Sequence, residues 1–475
     1  MRKKLSLALA ITLAGLVAVI SCGDEGALSP GDAGEDNQDS ARTPSDARLA
    51  LDATDALSAP DAADTRPPSD AADAADSADA REGGLSPTFV FFDVNHVLST
   101  GQSLSVGSQG APVLSDTQPY SNIKFSRGVL AGGTGLTAFA PLTETNVETM
   151  SSSLANLVTR VAREELLTSQ PAGRTSHDIL VSAHGVGGTA YIGLKKGTTP
   201  YTNGLAQATA GHALAMAAGK THAVRVVTTV HGESDHVSRN PSYEANLVEW
   251  QSDYQTDIRV ITGQTSAIPL LQTQMSSHTK LGQTTSLIPV AQLAAHVNHP
   301  GLIVLVGPKY HLEYAPDGVH LSNEGYRHMG EDYAKVYRRI ILEGRPWEPV
   351  RPTSVTRVGA VVTVKFHVPA PPLTFDTTLV TDPGNFGFEY SEDPGGTPPR
   401  ITAVSLSGVD TVTLTLSSAP TGTGRRLRYA FTGLAGARGG PTTGARGNLR
   451  DSDATASRAG YKLYNWCVHF DEPLP

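Results

Sequence analysis

Three residues of the types used in nucleophilic hydrolysis stand where a fold could bring them together. Ser103 follows a Gly-Gln pair directly after an apolar run. Asp317 and His320 form an Asp-x-x-His pair just before an amphipathic segment. A serine on a tight turn exposes its hydroxyl, and a carboxylate close to a histidine can orient the imidazole as a base. The pattern is typical of a serine hydrolase.

Each half of this pattern also has a simpler interpretation. Gly-Gln-Ser is a common turn sequence, and Asp317 and His320 could simply cap the helix that follows them. The N-terminus of that helix would oppose protonation of His320, which increases the need for a carboxylate partner. Taken separately, neither motif decides between chemistry and local structure.

The elements that must position these residues alternate between strands and helices over residues 88–344. Apolar runs predict strands at residues 88–92, 96–100, 178–183, 224–230, 267–272 and 302–306. Apolar residues at helical spacing predict amphipathic helices through residues 154–161 and 326–340. This alternation predicts an α/β fold, a three-layer α/β/α doubly wound and mostly parallel sheet. Such sheets carry their sites at the carboxyl ends of the strands, where Ser103 lies.

Beyond residue 346 the apolar period changes from 3.6 to 2. Val362, Val364 and Phe366 alternate with polar residues, as do Val412 and Leu414. We expect this region to form a C-terminal antiparallel β-sandwich.

Together the motifs resemble the SGNH, or GDSL-like, hydrolase superfamily, which has a flavodoxin-like fold. They are most similar to its sialate O-acetylesterase-like and carbohydrate acetylesterase branch, where the nucleophile motif is often Gly-Gln-Ser. His231-Gly232-Glu233-Ser234-Asp235 follows the fourth predicted strand and resembles the Gln-Gly-Glu-Ser motif of that branch. The resemblance extends over residues 99–336. It implies that Ser103 is the nucleophile, His320 the general base and Asp317 its orienting carboxylate.

The resemblance also implies an oxyanion hole made of backbone N–H groups and a side-chain amide. The glycines at 185–188 follow a predicted strand, and Gly187 and Gly188 are the expected backbone donors. They could equally form only a strand-to-helix turn. His231 stands where the branch has Gln, so its ring is expected to donate in place of the amide, supported by Glu233.

The N-terminus has the features of an export signal. Three basic residues precede an apolar stretch over residues 5–20, and Val19-Ile20-Ser21-Cys22 resembles the lipobox of bacterial lipoproteins. We therefore expect residues 1–22 to be a lipoprotein signal peptide and Cys22 to be lipidated. An ordinary signal peptide with an incidental cysteine is the alternative. The expected location is the bacterial cell envelope, at the outer membrane or cell surface, with the membrane as a partner through the lipid anchor.

Charge is distributed unevenly along the 475 residues. Residues 23–84 hold 16 acidic and four basic residues in an Asp-, Ala-, Ser- and Pro-rich composition, which predicts a disordered tether over 23–86. From residue 85 onward acidic and basic residues number 30 each. A nucleic-acid partner is not expected, because no clustered positive surface is encoded. No His-Glu-x-x-His occurs, and no metal-ligand spacing is shared by His184, His222, His236, His296 and His299, so neither a metal nor a cofactor is expected.

These observations predict a hydrolase domain over residues 87–345, followed by a β-sandwich domain over residues 346–475. The leading hypothesis is a surface-anchored serine esterase acting on short acyl, chiefly acetyl, esters, with an acylated carbohydrate as the expected substrate. A lipase- or polyester-type esterase of the same fold is an alternative. A non-catalytic carbohydrate-binding lipoprotein, in which the sandwich carries the function, is another.

Overall fold

The structure, a computed structural model, describes residues 84–393 and 397–475. The predicted signal peptide, Cys22 and nearly all of the predicted tether lie outside these ranges. Within them, the first part of the chain forms a seven-stranded sheet. Its strands are β1 (Val94–Gly101), β2 (Ile123–Phe125), β3 (Phe139–Pro141), β4 (Ile179–Ala183), β5 (His222–Val230), β6 (Leu270–Gln274) and β7 (Ile303–Pro308).

The strands lie in the order β3-β2-β4-β1-β5-β6-β7. Only β3 pairs antiparallel, at the edge, and the other pairs in this sheet are parallel. From β1 the chain passes toward the β3 edge, whereas from β4 it passes toward the β7 edge. The loops that follow β1 and β4 therefore diverge at a topological switch point, the usual place for a site in a doubly wound sheet.

Helices cover both faces of this sheet, as the predicted three-layer architecture requires. Their bounds are α1 (Met150–Val161), α2 (Thr199–Ala217), α3 (Glu233–Val237), α4 (Tyr243–Thr262), α5 (Leu287–Asn298) and α6 (Asn323–Tyr337). α1 and α6 pack on one face and share a core with β1, β4, β5, β6 and β7. α2, α4 and α5 pack on the opposite face around Trp250 and Tyr254, both fully buried.

α1 and α6 carry the apolar stripes that the sequence predicts, and they approach each other closely. A Cβ at Gly330 of α6 would lie 2.2 Å from the carbonyl oxygen of Met150 on α1, so only glycine permits this spacing. Each helix is capped by a hydroxyl, since Thr149 Oγ1 accepts from the N–H of Ser151 and Ser322 Oγ accepts from that of Gly325. One π-helical turn ends each helix, at Ala162–Leu166 and Arg338–Leu342.

One predicted strand is wrong. Residues 88–92 are not part of the sheet, which begins at Val94. Their aromatic rings instead pack against Arg225, whose guanidinium lies 5.0 Å from the Phe89 ring and 4.7 Å from the Phe92 ring. The apolar side chains of residues 88–92 thus cover the buried guanidinium group of Arg225. The three-residue strands β2 and β3 were not predicted, because they are too short to show a period.

The C-terminal part forms antiparallel sheets. Its strands are β8 (Arg351–Val358), β9 (Val361–His367), β10 (Thr374–Phe375), β11 (Phe388–Ser391), β12 (Ile401–Leu406), β13 (Thr411–Leu416), β14 (Arg426–Tyr429), β15 (Leu449–Arg450) and β16 (Phe470–Pro473). A four-stranded sheet has the order β12-β13-β9-β8, a three-stranded sheet the order β11-β14-β16, and β10 pairs with β15. The alternating apolar residues of β9 and β13 enter one core with those of β11, β14 and β16, which is the predicted sandwich.

The C-terminal sheets share their core with the α/β part. Leu305 of β7 and Tyr310 belong to the same buried cluster as β9 and β14, and the Tyr310 hydroxyl donates to the carbonyl of Cys467 at 2.6 Å. Cys467 is fully buried, and burial raises the pKa of its thiol, as expected for a structural cysteine. Within residues 84–393 and 397–475, no helix has the length and apolar character needed to cross a membrane.

Candidate active site

The loops after β1, β4 and β5 meet at one edge of the sheet. Ser99 is in register with Ala183 on β4, and Gly101 with Val230 on β5, so the three strands end together. Gly101 has a φ of 125°, and a Cβ there would lie 2.4 Å from the carbonyl oxygen of Val230. Glycine is therefore required for the sharp turn that leads from β1 into the next segment.

Ser103 is the first residue of a single 3₁₀ turn, Ser103–Val106, directly after β1. The Ser103 hydroxyl lies 2.7 Å from Nε2 of His320, and Nδ1 of His320 lies 2.5 Å from Oδ2 of Asp317. The three predicted residues are thus brought into one hydrogen-bonded chain, although 217 positions separate Ser103 from His320. This geometry matches the arrangement of nucleophile, base and orienting carboxylate that activates a serine in hydrolases.

The second oxygen of Asp317 fixes the carboxylate in place. Oδ1 accepts from the backbone N–H groups of Val319 and His320 at 2.9 and 3.0 Å. Partial burial alone would raise the pKa of Asp317, but hydrogen bonds from the His320 ring and these two N–H groups outweigh it and hold the pKa below its usual value. Asp317 therefore stays ionised and keeps the Nδ1 proton of His320 directed at itself. The His320 side chain is 20% exposed, which leaves Nε2 accessible from solvent.

Contacts from two other parts of the chain hold the catalytic loop. The Tyr326 hydroxyl on α6 donates to the carbonyl of Ser108 at 2.7 Å, which joins the start of α6 to the segment after Ser103. From the C-terminal sheets, the N–H of Gly439 donates to the carbonyl of Gly318 at 2.9 Å. A Cβ at Gly318 would lie 2.5 Å from the Cβ of Arg438, so the two loops are in direct contact.

Gly187 and Gly188 lie in the exposed loop after β4, beside the serine. A Cβ at Gly187 would lie 3.7 Å from the Cβ of Ser103. Gly188 has a φ of 65° and open space around it. Among the described residues, no backbone acceptor receives the N–H of Gly187 or Gly188, and Gly187 is the one of the two that lies against Ser103.

His231 does not face the serine, and the predicted role of its ring as an oxyanion donor lacks support from the geometry. The ring is fully buried, with Nδ1 at 2.8 Å from the Tyr243 hydroxyl and Nε2 at 3.1 Å from the carbonyl oxygen of Thr189. Burial lowers the pKa of His231, while the Asp235 carboxylate, 3.5 Å from Nε2, opposes that shift. Because both ring nitrogens have internal partners, His231 joins the loop after β4 to α4.

Glu233 is a buried support, as its motif implied, and it acts through an ion pair. Its Oε1 lies 3.3 Å from Nζ of Lys309 and 3.2 Å from the Ser277 hydroxyl. Both charged side chains are almost completely buried. Lys309 follows β7 directly, so this pair connects the loop after β5 to the start of the segment that carries Asp317.

Sequence reasoning missed Gln102 as a positioning residue. Its Oε1 accepts from the N–H of Ser234 at 3.3 Å, and its own N–H donates to the carbonyl of Val230 at 3.2 Å. The side chain before the nucleophile therefore ties the serine turn to the loop after β5. The signal was present in the Gly-Gln-Ser motif, in which the middle residue is a polar side chain on a buried turn.

A pocket of about 600 Å³ adjoins the catalytic loop. Its wall includes Glu313 and Tyr314, a few residues before Asp317, together with Arg438 from the C-terminal part. Tyr461 and Trp466 add aromatic surface. The combination of aromatic rings with charged and hydroxyl-bearing side chains is suited to a polar organic ligand.

One family model matches part of the chain. Residues 164–339 match the family model described as carbohydrate esterase, sialic acid-specific acetylesterase. This range includes Gly187, Glu233, Asp317 and His320 and begins after Ser103. No curated protein matches the chain in sequence.

Several solved structures are similar at low identity. A carbohydrate acetylesterase from Xanthomonas citri is 14% identical, with 80% of each chain covered and a TM-score of 0.49. A protein from Arabidopsis thaliana is 17% identical, with 51% of this chain and 97% of that chain covered and a TM-score of 0.38. The aryl esterase of M. smegmatis is 13% identical, with 51% and 98% covered and a TM-score of 0.28.

The family match covers the part of the α/β region that carries the histidine and the aspartate, and it begins after the serine. Over residues 164–339 the chain is similar to the carbohydrate esterases of the sialic acid-specific acetylesterase type, and the protein is a carboxylic ester hydrolase.

Proposed function

We propose that the protein removes short acyl groups, acetyl above all, from carbohydrate esters through an acyl-enzyme on Ser103. The observation that carries this proposal is the continuous contact from the Ser103 hydroxyl through His320 to Asp317, at 2.7 and 2.5 Å. The family model supports the ester chemistry, and the nucleophile rests on geometry because Ser103 precedes the matched range.

In the first half of the reaction, Ser103 Oγ attacks the ester carbonyl carbon while its proton passes to Nε2 of His320. The tetrahedral intermediate then breaks the carbon–oxygen bond of the ester, and His320 returns the proton to the leaving sugar hydroxyl. Water repeats the sequence on the acyl-enzyme and releases the carboxylic acid. Asp317 stabilises the imidazolium in both halves through its contact with Nδ1.

The negative charge that develops on the carbonyl oxygen needs donors beside the serine. The N–H of Ser103 starts a helical turn and so has no partner inside that turn. The N–H groups of Gly187 and Gly188 supply the expected second and third donors. Removing one such donor typically lowers the turnover rate by about 100- to 1,000-fold.

A sugar ester is the substrate class that the surroundings favour. The pocket of about 600 Å³ holds Tyr461 and Trp466 near Arg438 and Glu313, but its wall includes neither Ser103 nor His320, so it supports the substrate class only as a neighbouring surface. Acyl chains of a lipid would instead require a long apolar groove. The family description also refers to carbohydrate esters.

The test is acetate release from p-nitrophenyl acetate and from O-acetylated sugars by the full chain and by Ser103→Ala. We expect Ser103→Ala to lose at least about three orders of magnitude in kcat on both substrates. Ser126→Ala, which changes an exposed serine, serves as the matched control and should retain wild-type rates. Substantial turnover by Ser103→Ala would rule out the proposed mechanism.

Chain length separates the acetylesterase from the lipase-type alternative. With a series of p-nitrophenyl esters, kcat/KM should fall steadily as the acyl chain lengthens beyond a few carbons. A preference for long chains would reject the acetyl specificity and leave the serine mechanism intact.

We also propose that the enzyme is exported and held at the bacterial cell envelope by lipid on Cys22. The sequence around Cys22 and the acidic composition after it support this proposal. Radiolabelled palmitate should enter the wild-type chain in a bacterial host and not Cys22→Ser. Equal labelling of both chains would contradict lipidation at this residue.

A further inference from the structure

A second cluster of histidine and aspartate lies near the catalytic loop and takes no part in the proposed reaction. His311 follows β7, whereas His328 and Asp332 lie four residues apart on one face of α6. One ligand atom from each of the three side chains lies within 4.8 Å of the others. Among the described residues, this group of side chains could hold a metal ion.

Each member of the cluster has a buried polar atom with no hydrogen-bond partner among the described residues. These atoms are Nδ1 of His311, Nε2 of His328 and Oδ1 of Asp332. Buried polar atoms are normally paired, and leaving one unpaired costs about 1–3 kcal/mol. Unpartnered atoms on three neighbouring side chains show that the cluster has ligand capacity that hydrogen bonds within the described residues do not use.

The two imidazole rings are held in place by aromatic neighbours. Trp466 stacks on His311, with ring centroids 5.6 Å apart and planes 15° apart. Tyr461 stacks on His328, with centroids 4.5 Å apart and planes 5° apart. In addition, Nε2 of His311 lies 3.3 Å from Oδ2 of Asp332. Fixed rings reduce the ordering that a metal would otherwise impose.

The charges around the cluster also favour a cation. Lys335 lies one turn beyond Asp332 on α6, but its ammonium group contacts Asp453 at 3.0 Å and the side-chain oxygen of Asn465 at 2.8 Å. It faces the carboxylates of Asp332, Asp451 and Asp453 together. One ammonium group for three carboxylates leaves an excess of negative charge in this region.

The cluster is reached from the large pocket. His311 and His328 both line the pocket of about 600 Å³, while Asp332 and His311 line a second cavity of about 10 Å³. A metal held by the three side chains would therefore lie beside the large pocket. Two imidazoles, one carboxylate and one open position form the ligand set that Zn²⁺ takes in proteins, whereas Ca²⁺ and Mg²⁺ prefer oxygen ligands throughout.

We propose that His311, His328 and Asp332 bind a divalent transition metal of the zinc class. The metal joins His311, six residues before Asp317, to α6 and so fixes the segment that leads to the catalytic loop. Its role is to stabilise this segment, and the ester chemistry does not pass through it. The proposal does not depend on which acyl group or sugar the esterase takes, although His311 and His328 line the same pocket as the groups considered above for the sugar.

The test uses untagged full-length protein, freed of metal with a chelator and titrated with Zn²⁺ by calorimetry. We expect one ion per chain and a saturable rise in Tm. Asp332→Asn and His328→Gln should each weaken Zn²⁺ binding by at least about 100-fold. His299→Ala removes a partly exposed histidine after α5 and should bind as the wild type does.

Anomalous diffraction at the zinc edge from Zn²⁺-soaked crystals locates the ion without any variant. A peak between His311, His328 and Asp332 is the expected result. The proposal is overturned if the wild type binds no Zn²⁺, if the peak lies elsewhere, or if folded Asp332→Asn and His328→Gln bind as tightly as the wild type. Because these measurements use no ester, a negative result would not contradict the proposed esterase activity.

Discussion

Two clusters of histidine and aspartate lie along the same stretch of chain, and they differ in how their polar atoms are partnered. In the catalytic cluster, both nitrogens of His320 and both carboxylate oxygens of Asp317 have hydrogen-bond partners. In the second cluster, His311, His328 and Asp332 each retain a buried atom without one. Similar residue types therefore serve different chemistry. A closed chain of hydrogen bonds moves a proton, whereas unpartnered lone pairs are available to a cation.

The two clusters also share a support. The C-terminal part contacts the first through Gly439, which donates to Gly318, and the second through Tyr461 and Trp466, which stack on the two histidines. A region that the sequence predicts as a separate sandwich thus contributes walls to both clusters. The C-terminal part therefore contacts both clusters directly.

The largest expected effect comes from making the same substitution in each cluster. Asp317→Asn should lower kcat on p-nitrophenyl acetate by about 10³- to 10⁴-fold, because the amide cannot hold the Nδ1 proton of His320 and stabilise the imidazolium. Asp332→Asn should leave kcat within a few-fold of wild type in the absence of metal. Measuring kcat for both variants under the same conditions checks both expectations. An equal loss of kcat in the two variants would contradict the different roles proposed for the two clusters.

A smaller effect is expected where the C-terminal part meets the catalytic loop. Gly318 has a φ of 72°, so Gly318→Ala combines backbone strain with a clash against Arg438. We expect a 10- to 100-fold loss in kcat/KM through displacement of the neighbouring Asp317 and His320. Gly282→Ala, at a φ of 80° in open space, is the matched control for strain alone.

The Gly318→Ala result can be traced to the clash by a second substitution. Arg438→Gly in the Gly318→Ala background removes the side chain that the new Cβ would meet, and part of the activity should return. If Gly282→Ala loses as much activity as Gly318→Ala, or if Arg438→Gly restores nothing, contact with the C-terminal part is not what positions the loop.

The smallest expected effect concerns a buried histidine with no carboxylate partner. Burial lowers the pKa of His184 to about 4, against a usual value of 6.5, although a hydrogen bond with Gln207 partly opposes the shift. Below pH 6.5 His184 is protonated in the unfolded chain but stays neutral in the folded chain. The free energy of unfolding therefore falls as the pH drops from 6.5 toward 4.

This single group should contribute about 2 kcal/mol to the loss of unfolding free energy between pH 6.5 and pH 5. Urea unfolding at both pH values measures the loss, and His184→Gln should show a correspondingly smaller one. An unchanged pH dependence in the variant would mean that His184 accepts a proton in the folded state.

The contact between Ser103, His320 and Asp317 could be predicted because the signals of the two motifs are local. Ser103 stands immediately after a strand, and the three-residue spacing of Asp317 and His320 lies within one loop, so neither requires knowledge of the tertiary structure. The major strands of the sheet and the helices α1 and α6 show clear periods for the same reason. That the two motifs meet follows from both lying at the carboxyl ends of parallel strands.

The direction of a side chain could not be predicted in this way. His231 occupies the expected motif position, but Tyr243 of α4 and Thr189 in the loop after β4 contact both nitrogens of its ring. The four-residue spacing of His328 and Asp332 predicts that both side chains lie on the same face of a helix. Their third partner, His311, comes from an irregular segment whose path no periodicity encodes.

The hydrogen bond from the N–H of Gly439 to the carbonyl of Gly318 can form only late in the synthesis of the chain. A polypeptide is made from its N-terminus, and Gly439 is synthesised about 120 residues after Gly318. A growing chain therefore contains the nucleophile, the base and the carboxylate well before it contains the loop that braces them. The loop that carries Asp317 and His320 can therefore gain this contact only after the C-terminal part of the chain has been made.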